Sequence, residues 1–121
     1  MDGTERIQEL VDDYVANLLE RESCDDPDDA NDFDTAALDA LDELYPRYGD
    51  AGLDRLATLL SHQDPAVRCE VACILLRDRH EKAKAVLEDF ASRPETGLNC
   101  AGARATLGRW DAGNWKPFWK E

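Results

Sequence analysis

HQDPAVRCEVACILL, residues 62–76, decides how the rest of the chain is read. Asp64 can accept a backbone N–H as an N-cap. Pro65 then occupies the first helical position, where its missing N–H costs nothing and its fixed φ already suits a helix. Val67, Val71, Ile74 and Leu75 follow at the spacing of one helical face. Ala66, Cys69, Ala72, Cys73 and Leu76 are small or apolar as well, which leaves Arg68, Glu70, Arg77 and Asp78 as the solvated positions. A helix apolar over most of its circumference needs neighbours on two sides.

The flanking segments supply helices to be those neighbours. On the N-terminal side, Ile7, Leu10, Val11, Tyr14, Val15, Leu18 and Leu19 form an unbroken apolar stripe and predict a helix over about 4–20. Asp26-Pro27 repeats the Asp-Pro start signal, with Asp28 and Asp29 in a first turn where the helix dipole favours negative charge. The helix it opens runs to Tyr45, with Phe33, Ala37, Leu41 and Leu44 on one face, or begins later, near Asp34. Pro46 is expected to end or kink it, and Gly49 to finish the turn. A third helix, about 50–60, turns Leu53, Leu56, Leu59 and Leu60 toward a core. After the 65–77 helix, segments at about 80–92 and 96–107 complete the set. The first of these carries Ala83, Val86, Leu87 and Phe90. The second is rich in small residues: Leu98, Cys100, Ala101, Ala103, Ala105 and Leu107. No segment alternates as a strand would. The expectation is an all-α single domain over 1–121, about six helices in antiparallel hairpins. Within it, an acidic helical pair (1–49) precedes two hairpins (50–108) and an aromatic tail (109–121).

Composition narrows the function classes. At 121 residues the chain supports one core. No 18-residue apolar run suggests a membrane span. MDGTERIQEL lacks the basic-then-apolar order of a signal peptide. A reducing cytoplasm is therefore expected, with Cys24, Cys69, Cys73 and Cys100 as free thiols. The net charge of −13 is concentrated: residues 1–50 carry 17 acids against Arg6, Arg21 and Arg47, while the remainder is almost neutral. Such a field repels nucleic acid and favours a basic partner.

L-x-x-L-L-x-H-x-D-P-x-V-R-x-x-x-A, residues 56–72, resembles a HEAT repeat. The resemblance implies that Asp64-Pro65 opens the second helix of a hairpin, that Val67 and Ala72 pack between helices, and that Arg68 ties down a neighbouring turn. It implies a short HEAT-like α-α superhelix, with a period in the range of helical solenoids. The whole chain is also similar to a family of small bacterial single-domain proteins with HEAT-like helices and no assigned activity. That similarity lies in an initial helical pair, the DPxVR hairpin and a closing Trp/Lys-Pro tail, and it brings no catalytic residues with it.

The remaining clusters divide between structural and functional roles. ERESCDDPDDANDFD, residues 20–34, fails the spacing of a calcium loop, which needs alternating oxygens, a central Gly and a terminal Glu. It reads as a solvated loop and helix cap, or as a contact surface for a basic partner through Asp25, Asp26, Asp28, Asp29, Asp32 and Asp34. Cys69 and Cys73 lie one helical turn apart, but a structural zinc needs four ligands, and both fall on the packing arc. His62 and His80 have no Ser or Cys nucleophile in a recognisable frame. The tail RWDAGNWKPFWKE holds every tryptophan. It either folds back to cover the last hairpin or presents Trp115, Phe118 and Trp119 as an interface.

These observations point to a non-enzymatic protein-binding module without cofactor or metal. Its acidic surface docks a basic protein, one form being an immunity-type inhibitor of a basic toxin. The alternative is a HEAT-like nucleic-acid-acting protein of the DNA-glycosylase kind, using the basic cluster Arg77, Arg79, Lys82 and Lys84, or a structural scaffold or homodimer. The cap supplies a first test: Asp64→Ala should cost about 1 kcal/mol. An unchanged melting temperature would rule out a helix start at Pro65.

Overall fold

The computed structural model describes residues 3–116. Among them the chain is all-α: α1 (Thr4–Ser23), α2 (Pro27–Ala57), α3 (Pro65–Ile74), α4 (His80–Ala91) and α5 (Leu98–Asp111), with short 3-10 turns at Thr58–Ser61 and Pro94–Thr96. The described residues group into two compact units, one ending at Leu56 and the other beginning at Ala57.

The first unit follows from the periodicity of α1. Ile7, Leu10, Val11, Tyr14 and Leu18 are buried, while Val15 and Leu19, at the edge of the stripe, are half-buried. The α2 helix starts at Pro27 rather than near Asp34. Asp26 Oδ1 accepts the Asp28 N–H at 2.9 Å, which supplies the cap that fixes this start. Ala37, Ala40, Leu41 and Leu44 form its buried face.

Both helices expected here are present, divided by a kink within this span. Pro46 lies inside α2 and does not end it; the break comes at Gly49, with φ 52° and ψ −128°. Pro46 costs the helix one i→i−4 hydrogen bond, yet the helical backbone continues past it. A positive φ paired with that ψ suits glycine and opposes every L-side chain. Beyond the break, Gly52 lets the chain return close to its own preceding turn: a Cβ there would lie 3.0 Å from Leu44 Cγ and 3.2 Å from the Leu44 carbonyl oxygen.

The second unit is built on α3. Asp64 caps it, its side chain accepting the Ala66 N–H at 2.8 Å. The residue before the cap is also held: Arg68 Nη1 donates to the His62 carbonyl at 2.7 Å and the Gln63 carbonyl at 3.1 Å. His62 Nδ1 accepts the Asp64 N–H at 3.0 Å, so its proton-bearing nitrogen is Nε2. Val67, Cys69, Val71, Ala72, Cys73 and Ile74 are all buried, and the helix meets α4, α5 and the Thr58–Ser61 turn. It ends at Ile74, three residues before the expected end. Leu75 and Leu76 continue inward in the turn and are completely buried.

The α4 helix buries Ala83, Leu87 and Phe90, and α5 buries Cys100, Ala103 and Thr106. The register of α5 differs from the expected one. Pro94–Thr96 forms a separate turn, Gly97 (φ 63°) redirects the chain, and Leu98 begins the helix on its outer side, 91 % exposed. Ala101 and Ala105 are exposed too.

Two glycines should respond in opposite senses. Gly49→Ala should destabilise by about 1–3 kcal/mol through backbone strain. Gly102→Ala, in a helical interior with nothing within 4 Å of the new methyl, should stabilise by about 0.5–1 kcal/mol. Chemical denaturation of the two variants measures both.

Candidate functional site

The charge asymmetry becomes a specific surface in the first unit. Arg6 and Arg21, two of its four arginines, are committed to ion pairs within it. Arg6 grips Glu43 with two hydrogen bonds, Nε to Oε2 at 2.7 Å and Nη2 to Oε1 at 2.9 Å, and reaches Glu9 at 3.0 Å. Arg21 joins the end of α1 to the start of α2 by pairing with Asp34 at 2.9 Å, and it also holds Glu22 at 2.9 Å. The Arg6 hydrogen bonds hold the Glu43 carboxyl below its usual range, and the two glutamates raise Arg6 above its own.

Of the six acids expected at the partner surface, Asp25, Asp26, Asp28, Asp29 and Asp32 are exposed. They cluster in the link Cys24–Asp26 and the first two turns of α2. Asp26 has a structural duty as the cap. Asp34 is only half-exposed and is neutralised by Arg21, so it adds least to the field. Asp25, Asp28, Asp29 and Asp32 form no ion pair among the described residues.

A second charged location lies in the other unit, at the turn from α3 to α4. Arg77, Asp78, Arg79, His80, Glu81 and Lys82 line a cavity of about 360 Å³. Asp78 and Glu81 stand among the cations, and Arg77 lies 3.5 Å from the Asp78 carboxylate. Such alternation lacks the continuous basic surface that a nucleic-acid backbone requires. One Asp78 oxygen, Oδ2, is buried without a hydrogen-bond partner.

Part of the aromatic tail folds back onto this turn. Trp115 donates its indole N–H to the Cys73 carbonyl at 3.1 Å, satisfying a group that α3 leaves open by ending at Ile74. The Arg77 guanidinium lies 5.8 Å above the Trp115 ring, and Trp110 meets Trp115 edge-on at 5.6 Å. Trp110 also stacks on His80 at 5.1 Å, and His80 Nδ1 bonds the Leu76 carbonyl at 3.0 Å. Trp115 is therefore a half-buried clasp on α3. Phe118 and Trp119, the other two expected interface aromatics, lie outside the described residues.

The buried thiols are packing groups. Cys73 Sγ lies 3.2 Å from Thr106 Oγ1, which also accepts from Arg109 Nη2 at 3.2 Å. Cys69 contacts the Asn99 carbonyl at 3.6 Å. Its hydrogen bond to Cys73 and its burial push the Cys69 thiol well above the ordinary range. No group of three or more His, Cys, Asp or Glu side chains among the described residues could hold a metal ion. No described helix is long and apolar enough to cross a membrane.

The chain matches no family model, no curated protein and no solved structure. That the tail folds back was one of the two readings of the sequence; the Cys73 carbonyl as the atom Trp115 holds, and the Arg6–Glu43 pair, were not anticipated from it. The pair joins residues 37 positions apart, and only the register between two helices brings them together.

The Glu43 shift sets a pH dependence. A carboxyl depressed in the folded state contributes stability above its unfolded pKa, near about 4.3, and loses it as pH falls through the lower folded value. Glu43→Gln should therefore flatten the acid limb of the stability profile between those values. Unfolding curves from neutral to acid pH check this, and identical limbs would remove the pair as a contributor.

Proposed function

We propose that the chain is a non-enzymatic binding module, a short HEAT-like helical array whose acidic N-terminal half docks a basic protein. One concrete form is an immunity-type inhibitor held against a basic toxin such as a nuclease, in the cytoplasm. One observation carries this reading: four carboxylates at the α1–α2 junction, Asp25, Asp28, Asp29 and Asp32, form no ion pair among the described residues. Asp25, Asp28, Asp29 and Asp32 are exposed on one short stretch, and Arg6 and Arg21 are already bound to Glu9, Glu43, Glu22 and Asp34. Uncompensated like charges destabilise the isolated chain and gain favourable partners only in a complex. The ordered start of α2 at Pro27 gives these carboxylates a fixed arrangement, which lowers the entropic cost of docking.

Nucleic-acid chemistry is the weaker reading. Its support is confined to the Arg77–Lys82 turn, where two carboxylates interrupt the cations. A gel shift at low salt separates the two readings.

The test is binding to a panel of basic proteins, nuclease domains among them, by surface plasmon resonance at two ionic strengths. Wild type should associate rapidly at low salt and markedly more slowly at high salt. Replacing Asp25, Asp26, Asp28 and Asp29 with Asn, which keeps the cap at position 26, should reduce the association rate by about tenfold or more. Binding indifferent to both changes would remove the electrostatic basis of the proposal.

A further inference from the structure

Between the two long helices of the first unit runs a groove of about 280 Å³. On α1 it is lined by Arg6, Leu10, Asp13 and Asn17, successive members of one helical stripe. On α2 it is lined by Ala36, Asp39, Ala40 and Glu43, a second stripe at helical spacing. Its apolar lining is shallow and small: Leu10 and Ala40 are buried and Ala36 is half-buried. The Arg6–Glu43 pair belongs to the same lining. Asp13 and Asp39 do not share that neutralisation. Both are exposed, and neither has a hydrogen bond or ion pair from its side chain among the described residues.

We propose that this groove takes an arginine side chain of the basic partner, its aliphatic stem lying over Leu10, Ala36 and Ala40 and its guanidinium meeting Asp13 and Asp39. The inference rests on the reading that the acidic half docks a basic protein, and it names the place and the recognising chemistry. Three observations support it together. An arginine stem needs apolar surface while its head needs carboxylates, and both lie in one groove. The groove already holds one guanidinium, that of Arg6, gripped by Glu43 in the two-bond geometry that arginine forms with carboxylates. Among the described residues no cation pairs with Asp13 or Asp39, unlike Glu43 and Asp34. Asn17 donates to the Asp13 carbonyl at 2.8 Å, which leaves its side-chain oxygen as a further acceptor.

The test uses the full chain with fluorescein-labelled nona-arginine, read by anisotropy at low ionic strength. Argininamide is titrated separately while backbone amides are followed by NMR. Wild type should bind the peptide, and argininamide should shift the amides of Leu10, Asn17, Ala36 and Ala40. Asp13→Asn with Asp39→Asn should weaken the peptide about tenfold, against about twofold for Asp28→Asn with Asp29→Asn, which makes the same charge change outside the groove. The groove variant should melt no lower than wild type, because it relieves unpaired charge. Ala36→Leu, which fills the groove at unchanged charge, should weaken the peptide while leaving the helical circular dichroism intact.

Equal weakening by the two double variants would overturn the groove assignment and leave the basic-partner reading standing. Absence of peptide binding by wild type would overturn both. Concentration-dependent dimerisation of the wild type that is lost in the groove variant would give the groove to a second copy, and so would also overturn a separate basic partner.

Discussion

A helix without a polar side must be enclosed, and α3 is such a helix. Val67, Val71, Ala72 and Ile74 are almost completely buried, as are Leu75 and Leu76 beyond the helix end. Removing this much apolar surface from water is the largest favourable contribution available to the second unit. The enclosure dictates its neighbours: α4 on one side, α5 on another, the Thr58–Ser61 turn, and the Trp115 indole at the end. Enclosure also makes every polar group on α3 costly unless it is bonded. Asp64, Arg68, His62 and Trp115 meet that requirement at the two ends. Thr106 and the cysteines meet it in the middle.

The first unit works under the opposite constraint. Its core is an ordinary amphipathic seam, and its surface is dominated by one sign of charge. Arg6 and Arg21 are spent locally, joining α1 to α2 at both ends of the seam through Arg6–Glu43 and Arg21–Asp34. What remains outside is negative and unbalanced. The division is physically coherent: one unit is organised around buried apolar surface, and the other carries the field.

Local signals were legible wherever a residue acts on its own backbone or on its own helical face. The Asp64-Pro65 and Asp26-Pro27 starts, the stripe of α1 and the inward position of both Cys69 and Cys73 are all of this kind. Pro46 did not mark the break: the backbone stays helical past it and leaves helical geometry at Gly49, whose positive φ glycine alone accepts readily. Leu98 was misleading because hydrophobicity does not report register: Gly97 rotates the start of α5 so that Cys100, Ala103 and Thr106 face inward instead. Asp34 looked like its acidic neighbours until Arg21, thirteen residues away, was placed beside it.

By itself the sequence determined the all-α class, most helix starts and the concentration of negative charge in the first fifty residues. These depend on interactions over a few positions, or on a plain count. Only the tertiary structure decided which carboxylates are already neutralised, where α2 breaks, that Trp115 fastens α3, and that Asp13 and Asp39 share a groove with an apolar lining. Each of those depends on the register between segments far apart in the chain. That register is set by the packing of whole faces against one another, which no local pattern encodes.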